Sequence, residues 1–436
     1  MKAAFHNLGC KVNEYETEAM KQQLMAAGYE IVPFGEAADV YVINTCTVTQ
    51  MADRKSRQML HKAHQMNPDA IVVAAGCYVQ EDRERVLADD AVNIVVGHQE
   101  KARLAELIET YQKSGSTEGN FAADIKEAKV YQNLKLDKPV DRTRAFVKIQ
   151  DGCNQYCTYC LIPFARGRVR SRQAEDVVAE VKRFAENGIK EIVLTGIHIS
   201  SYGLDFAGGP VSTPMADKAV TNQALLDLIG QLHAIEGIRR IRLGSLEPGI
   251  VTSEFAEAIG KMDKICPEFH LSLQSGCDAT LERMNRRYRA EDYRKAVRRL
   301  RLAFDRPAIT TDVIVGFPGE TEEEFEESRA FVDEIDFAKT HIFKYSRRKK
   351  TKAYDMPDQV QEREKTRRSS ILLELDQKKI QAYADSISAK EWEVLFEESR
   401  DVGGLTYWRG HTRENLNVMM ASEQNLENEI LLCRYL

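Results

Sequence analysis

Two series of short apolar segments, alternating with amphipathic helical segments, constrain the fold of this 436-residue chain more than any other feature. The predicted strands of the first series, residues 1 to about 110, are apolar along their whole length, as strands buried on both faces of a parallel sheet are. These strands are 3–8, 29–32, 40–43, 71–75 and 94–96. A helix is predicted to begin at a capping Asn13, with Glu16 at the capping-box position, and to run to about Ala27. The series predicts an α/β fold with a doubly wound parallel sheet.

The second series follows a polar stretch, about residues 113–144, that is predicted to be a linker with one short strand near Val130. Its predicted strands are 145–149, 191–195, 240–243, 270–273, 309–315 and 340–345. Six strand-helix units favour a partial parallel (β/α)6 barrel, in which the loops at the carboxyl ends of the strands build the active site. A charged helix over about 361–390 follows, and short alternating runs over 391–436 predict a small antiparallel β barrel.

These patterns divide the chain into regions, as its length also suggests, since one hydrophobic core rarely serves so many residues. We expect a first domain at 1–125, a linker at 126–144, a barrel domain at 145–375, and a trailing helix with the small β barrel at 376–436. No apolar run approaches the roughly 18 residues that would span a bilayer, and the N-terminus has no apolar signal core. A cytoplasmic protein without a membrane partner is expected.

The charge pattern points weakly to a polyanionic partner. A net charge of −6 argues against a generally basic nucleic-acid binder. Basic residues nonetheless cluster in three short segments, at 166–172, 283–289 and 347–350. Each cluster alone is equally well explained as a solvated face, whereas three in one chain modestly favour a polyanion.

Nine cysteines in a chain without a secretion signal favour metal ligation or redox chemistry over disulfides. Cys153, Cys157 and Cys160 form a Cys-x3-Cys-x2-Cys arrangement directly after the first strand of the second series. Three such thiolates can hold three irons of a [4Fe-4S] cluster and leave the fourth iron open. Zinc is the alternative, but it usually takes a fourth protein ligand and paired cysteine spacing. The spacing, with Tyr159 in the aromatic position before the third cysteine, matches the radical S-adenosylmethionine (SAM) signature.

Five residues at the ends of later barrel strands are predicted to face this cluster and bind SAM. They are Gly196, His198, Ser245, Glu247 and Gln274. Glu247 is expected to accept hydrogen bonds from ribose hydroxyls, and the small Gly196 to let the methionyl group approach the backbone. Each residue alone is equally well explained as a core or loop position, so the interpretation rests on their recurrence at strand ends.

Cys10, Cys46 and Cys77 each follow a predicted strand of the first series. Because parallel strands present their carboxyl ends along one edge of a sheet, the three thiols are expected to converge. A single free cysteine is more often a small buried hydrophobe. Three at equivalent positions predict a second cluster, whereas Cys266, Cys277 and Cys433 show no such arrangement and are expected to be inert.

Across essentially its whole length the chain resembles the radical SAM methylthiotransferase family. The segments that carry the resemblance are LGCKVNEYE, VINTCTV, AAGCY, DGCNQYCTYCLIPFARGRVRSR, LTGIH, RLGSLEP, HLSLQSG and VIVGFPGET. The tail looks like the family's RNA-binding TRAM domain. LGCKVN, IPFARG and LTGIH look most like the branch that methylthiolates N6-threonylcarbamoyladenosine at tRNA position 37.

The resemblance implies two [4Fe-4S] clusters and two molecules of SAM per reaction. The first-domain cluster would carry a sulfur that one SAM methylates, and the radical formed at the barrel cluster would abstract hydrogen from carbon 2 of the adenine. Implied partners are the anticodon stem-loop of tRNA, an electron donor such as a flavodoxin or ferredoxin, and a sulfur donor. Alternatives are another tRNA nucleoside, a ribosomal protein, or a non-catalytic iron-sulfur protein that binds RNA or transfers electrons.

Contacts with the substrate are predicted at four residues. A threonylcarbamoyl group carries a carboxylate, so its pocket should offer a cation, for which Arg166 and Arg168 are expected. In the tail, Trp408 and Arg409 are expected to meet bases and phosphates, although Trp408 is equally well explained as part of the core of the small barrel. One departure from the family pattern lies in residues 345–356, where Lys350 occupies a position expected to be glycine.

Overall fold

The computed structural model describes residues 1–115, 124–138, 143–206, 222–387 and 391–434. The first strand series forms a five-stranded parallel sheet in the order β2-β1-β3-β4-β5. Its strands are β1 Lys2–Asn7, β2 Glu30–Val32, β3 Val40–Thr45, β4 Ile71–Gly76 and β5 Ile94–Val96. The helices around it are α1 Lys11–Ala26, α2 Gln50–Met66, α3 Cys77–Glu81, α4 Arg83–Leu87 and α5 Leu104–Ser114. Tyr41 and Ile43 pack into one apolar core and Val40 and Val42 into another, so both faces of the sheet are covered, as predicted.

Two local predictions in this region are wrong. The first helix begins at Lys11, with Cys10 at its N-cap position, so Asn13 and Glu16 lie inside it and are buried. Glu16 forms ion pairs instead of a capping box. The strand expected near Val130 is not formed, and this valine is exposed on an irregular segment.

The second series forms the expected partial barrel of six parallel strands. They are β6 Arg144–Asp151, β8 Glu191–Gly196, β9 Arg240–Leu243, β10 Glu268–His270, β11 Ala308–Val315 and β12 Lys339–Lys344. A two-residue strand, β7 Arg170–Ser171, pairs antiparallel with β6. The sheets β6-β8-β9 and β10-β11-β12 are joined by parallel bridges between Ile241 and Ile265 and between Leu246 and Leu271.

Amphipathic helices cover the outside of this barrel, because each buries one apolar stripe against the strands. They are α7 Ala174–Glu186, α8 Gln223–His233, α9 Ser253–Gly260, α10 Asp278–Arg283, α11 Ala290–Ala303, α12 Glu322–Ile335 and α13 Glu362–Ile387, whereas the short helix α6 Ile162–Arg166 packs against α3 of the first domain. Short 3-10 helices occupy Lys101–Arg103, Ile125–Glu127, Ile199–Ser201, Pro248–Ile250 and Lys352–Tyr354. Among the described residues, none of the helices has both the length and the apolar character that a membrane crossing requires.

The C-terminal strands form a four-stranded antiparallel sheet in the order β15-β14-β13-β16, which is consistent with a TRAM-like domain. They are β13 Glu391–Val402, β14 Leu405–Thr412, β15 Asn417–Ala421 and β16 Ile430–Arg434. Buried His411 lies 3.1 Å from Glu191, and Arg242 donates to the carbonyl of Thr412 at 2.7 Å. Since Glu191 begins β8, the sheet docks at the amino-terminal end of the barrel, opposite the loops that build the site.

Candidate active site

The strand ends of the first sheet bring Cys10, Cys46 and Cys77 to one edge. Asn44 of β3 is in register with Asn7 of β1 and with Ala75 of β4. Cys46 and Cys77 directly follow the next registered pair, Thr45 and Gly76. The loop that carries Cys10 closes against Cys46, because a Cβ at Gly9 would lie only 2.9 Å from the Cys46 Sγ. Gly9 has φ +106°, a backbone conformation that favours glycine.

The three thiols are close enough to influence one another electrostatically. Burial raises the pKa of Cys46 to about 12, and the neighbouring thiols of Cys77 and Cys10 add to the rise. Burial likewise raises the pKa of Cys77, against the opposing effect of the Arg166 guanidinium. The first sheet therefore gathers three thiols, of which Cys46 and Cys77 are protonated unless a metal takes them, because a coordinating thiol loses its proton.

The second triplet lies on the loop that follows β6. Cys153 and Cys157 are buried, and Cys160 is partly buried. The Cys153 N–H donates to the Gly167 carbonyl at 3.0 Å, and the Cys160 N–H donates to the Cys157 carbonyl at 3.0 Å. Burial raises the pKa of Cys153, and the neighbouring thiols of Cys157 and Cys160 add to the rise. Burial, together with the Cys157 thiol, raises the pKa of Cys160 to about 12. The loop therefore keeps the three thiols near one another.

Both sets have the donor chemistry of a three-thiolate [4Fe-4S] site. Within the described ranges, no three histidine, cysteine, aspartate or glutamate side chains are grouped so that they could hold a single metal ion. A [4Fe-4S] cluster instead distributes its thiolates over separate irons, one ligand to each.

A buried ionic network lies beside the first thiol set and supports this fit. Two carboxylates, Glu16 and Asp151, face the cations Lys101, Lys148 and Arg166. All five side chains are at most 7% exposed. Buried charges are normally paired, so a surplus of cations calls for a further anion nearby. Thiolates that ligate a cluster beside this network would supply it.

Glu247, one of the predicted SAM contacts, lies in a polar group beside the second thiol set. Arg286 donates to the Glu247 carboxylate at 2.5 Å and to the Cys157 Sγ at 3.2 Å. His198 Nε2 lies 3.5 Å from the same carboxylate, and its Nδ1 lies 2.6 Å from the Ser201 hydroxyl. Burial alone would raise the pKa of Glu247. The opposing effects of Arg286, the larger of the two, and of His198 lower this pKa to about 2. The carboxylate is therefore ionised and fixed in place.

Arg286 is a residue that sequence reasoning missed as part of the site. It was seen only as one member of a basic cluster, and no local spacing links it to Cys157 or Glu247. Its side chain is 6% exposed, and only the return of the chain after α10 brings it to the thiols. The feature that could have indicated it is its position on a loop that follows the carboxyl end of β10.

The other predicted SAM contacts occupy different environments. A Cβ at Gly196 would meet Ile199 at 2.9 Å and Gln150 at 3.1 Å, so this glycine is required for packing. Ser245 is exposed, whereas Gln274 is buried with φ +70°, and its N–H donates to the Asp312 carbonyl. Tyr159 is partly buried and packs edge-on against Phe317. All lie on the loops or strand ends expected, and their contacts with SAM stay predictions.

The predicted substrate contacts are separated by the structure. Arg166 is completely buried in the ionic network, whereas Arg168 is exposed and its guanidinium has no partner among the described residues. Trp408 is 8% exposed and packs in the apolar core of the C-terminal sheet, which does not suit the stacking role expected for it. Arg409 is exposed and pairs with Glu398 at 3.1 Å.

Lys350, which departs from the family pattern, has a backbone conformation that favours glycine. Lys350 has φ +69°, the left-handed region that glycine would adopt easily. Its ammonium lies 3.5 Å from the Glu81 carboxylate at the end of α3. In the same loop, Arg348 pairs with Asp53 and donates to the Thr47 hydroxyl at 2.8 Å. The loop after β12 thus packs against the two segments that follow Cys46 and Cys77.

We expect replacement of Arg286 by glutamine to lower the free energy of unfolding by about 3 kcal/mol, because it leaves the largely buried Glu247 carboxylate, which is 14% exposed, without its cation. Urea unfolding followed by near-ultraviolet circular dichroism measures this change. Arg294→Gln is the matched control, since this arginine pairs with Glu334 at the surface and should cost less than about 1 kcal/mol. Equal losses in the two variants would contradict the assigned role of Arg286.

Comparison with known proteins extends these observations. The family model described as "Uncharacterized protein family UPF0004" matches residues 2–97, and the model described as "Radical SAM superfamily" matches residues 147–332. The chain is 39% identical to threonylcarbamoyladenosine tRNA methylthiotransferase MtaB of Bacillus subtilis, over 99% of this chain and 93% of that protein. It is 35% identical to tRNA-2-methylthio-N(6)-dimethylallyladenosine synthase of Clostridium tetani, over 84% of this chain and 79% of that protein.

A solved structure shares the fold. The radical SAM methyltransferase TsrM of Kitasatospora setae aligns with a TM-score of 0.57 at 18% identity, and the alignment covers 81% of this chain and 77% of TsrM. At this identity the likeness concerns the fold alone.

Proposed function

Since this chain belongs to the radical SAM methylthiotransferase family, we propose that it converts N6-threonylcarbamoyladenosine at position 37 of tRNA to its 2-methylthio derivative. The observation that carries the proposal is that two consecutive residues, Arg166 and Gly167, contact one cysteine of each set. Arg166 donates to the Cys77 Sγ at 3.3 Å, and the carbonyl of the next residue, Gly167, accepts from the Cys153 N–H. Two clusters held in this way would serve one substrate pocket.

The cofactors of the family are two [4Fe-4S] clusters and SAM. In our proposal Cys153, Cys157 and Cys160 hold the cluster that binds SAM, and Cys10, Cys46 and Cys77 hold the second. Together these groups supply a radical and a methylated sulfur, which suits an aromatic C–H that ordinary acids and bases cannot activate. Glu247 is fixed by Arg286 and His198 so that its carboxylate can accept hydrogen bonds from the SAM ribose.

We assign recognition of the threonylcarbamoyl carboxylate to Arg168 and no longer to Arg166. The Arg166 guanidinium already serves Glu16, Asn13 and Asp151. Arg168 lies two residues along the same loop, is exposed, and has no side-chain partner among the residues described. An arginine can bind a carboxylate through two parallel N–H donors, which gives both affinity and orientation.

The partners follow from the same proposal. The anticodon stem-loop of tRNA is the substrate, a flavodoxin or ferredoxin supplies electrons, a separate donor supplies sulfur, and the cytoplasm is the setting. The role of residues 391–436 in tRNA affinity stays a prediction. This segment has nine acidic and four basic residues, so any such affinity would come from individual side chains such as Arg409 and not from its net charge.

The test is to incubate the anaerobically reconstituted enzyme, SAM and dithionite with tRNA that carries either threonylcarbamoyladenosine or isopentenyladenosine. Mass spectrometry of the digested nucleosides should show a methylthio product only from the first tRNA. Arg168→Gln should lower kcat/KM on this tRNA about tenfold or more, mainly by raising KM, because a charge-assisted bond contributes about 1.5–3 kcal/mol. Product from isopentenyladenosine alone would contradict the proposed substrate, and the absence of a methylthio product from both tRNAs would contradict tRNA as the target.

A further inference from the structure

Arg166 is the only side chain among the described residues that joins the ionic network directly to a cysteine of the first thiol set. Its Nε–H donates to the Cys77 Sγ at 3.3 Å, while its two terminal nitrogens donate to Glu16 at 2.8 Å and to Asn13 at 2.6 Å. The guanidinium is completely buried. The Nε–H of the planar guanidinium therefore points at the Cys77 sulfur, while its terminal nitrogens are held by Glu16 and Asn13. These contacts fix the orientation of the guanidinium.

Water cannot screen the charge of Arg166, and the acids around it are shared. Glu16 also pairs with Lys101 and Lys148, and Asp151 also pairs with Lys148. Arg170, itself buried, lies 3.8 Å from Asp151. Among the described residues two carboxylates thus face four basic side chains, and one of these, Arg166, is in direct contact with the Cys77 sulfur.

We propose that Arg166 is a positioning residue that raises the reduction potential of the cluster held by Cys10, Cys46 and Cys77. Reduction adds one electron, and so one negative charge, to the cluster without requiring a proton. A fixed cation and an N–H donor at a ligating sulfur stabilise the more negative state, and hydrogen bonds to the sulfurs and local charge are among the features that set such potentials. The inference rests on the proposed function, because it assumes that these three cysteines hold a cluster.

Arg172 provides a matched control in the same part of the molecule. Its guanidinium is also buried and also joins the first domain to the barrel, since it donates to Glu180 at 2.9 Å and to the Tyr15 hydroxyl at 3.3 Å. Within the part of the chain that the structure describes, no sulfur is among the partners of Arg172. Loss of a buried arginine between the two regions is therefore common to Arg166→Gln and Arg172→Gln, whereas loss of a donor to a cysteine is specific to the first.

The experiment uses the full-length chain with Cys153, Cys157 and Cys160 replaced by alanine, so that only the first-domain cluster contributes to the spectra. Arg166→Gln, Arg166→Lys and Arg172→Gln are each added to this parent and reconstituted with iron and sulfide. The midpoint potential is then measured by a dithionite titration monitored by electron paramagnetic resonance. We expect a shift to more negative potential in Arg166→Gln, a smaller shift in Arg166→Lys, which keeps the charge but not the fork of donors, and no shift in Arg172→Gln.

The possible failures are distinguishable. If the parent holds no cluster, the assignment of Cys10, Cys46 and Cys77 is wrong, and the proposed function and this inference fail together. If the parent holds a cluster whose midpoint is the same in both Arg166 variants, only this inference is overturned. A shift of the same size in Arg172→Gln would also overturn it, because the effect would then be one of general packing. If Arg166→Gln does not fold, the midpoint potential of Arg166→Lys is compared with that of the parent. A more negative midpoint in Arg166→Lys then supports the inference, and an unchanged midpoint overturns it.

Discussion

Replacement of Cys153, Cys157 and Cys160 by alanine is expected to abolish the release of 5′-deoxyadenosine from SAM. These thiols are the proposed ligands of three irons, and without them the open iron that SAM requires is lost. The reaction has no alternative route at neutral pH, because neither an acid nor a base in the usual pKa range can take the place of a one-electron donor. Chromatography of an anaerobic reaction with dithionite measures the loss directly.

The chain contains its own control for this experiment. Cys266, Cys277 and Cys433 are the other three cysteines, and they lie apart from both thiol sets. Their simultaneous replacement by alanine removes the same number of thiols and should leave 5′-deoxyadenosine release close to that of the unmodified protein. Continued cleavage of SAM in the first variant, or its complete loss in the control, would contradict the assignment of the SAM-binding cluster.

Replacement of Cys10, Cys46 and Cys77 by alanine should separate the two halves of the reaction. The thiols at 153, 157 and 160 are untouched, so the variant should still release 5′-deoxyadenosine while forming no methylthio product on tRNA. The physical reason is that radical formation and sulfur delivery depend on different ligand sets. Both products are measured in the same reaction, one by chromatography of the supernatant and the other by mass spectrometry of tRNA nucleosides.

Loss of structure must be excluded for this second variant, since Cys46 and Cys77 are buried at strand ends. Far-ultraviolet circular dichroism and SAM binding should match those of the unmodified protein. If a folded variant still methylthiolates tRNA at the normal rate, these cysteines do not deliver the sulfur.

Sequence patterns predicted the fold class because strand burial and strand order follow local rules. Continuous apolar runs such as 40–43 and 71–75 belong to strands covered on both faces, and they form the middle of the first sheet. A helix between two successive strands carries the chain back to the end at which the first strand began, so that the two strands can pair in parallel. Such crossovers are almost always right-handed. The same rules placed six barrel strands close to their observed positions.

Where the sequence misled, long-range contacts had outweighed local preference. Asn13 and Glu16 fit a capping box by spacing, but burial against the barrel makes Glu16 the partner of Lys101 and Lys148. For Trp408 the sequence left base stacking and a position in the barrel core equally open, and alternation along β14 places its ring in the core. A local sequence pattern does not show which charged or apolar side chains from distant parts of the chain will contact a residue.

The sequence by itself determined which residues can carry the chemistry of this protein, because thiol spacing after strand ends is a local property of the chain. Only the tertiary structure decided how those residues are coupled. Arg166 and Arg168 are indistinguishable as members of one basic segment, but one is buried against the Cys77 sulfur and the other is exposed. Arg286 meets Cys157 across 129 residues. The environment of an arginine depends on the packing of distant segments around it, and that packing sets whether its charge stabilises a buried site or remains available to a ligand.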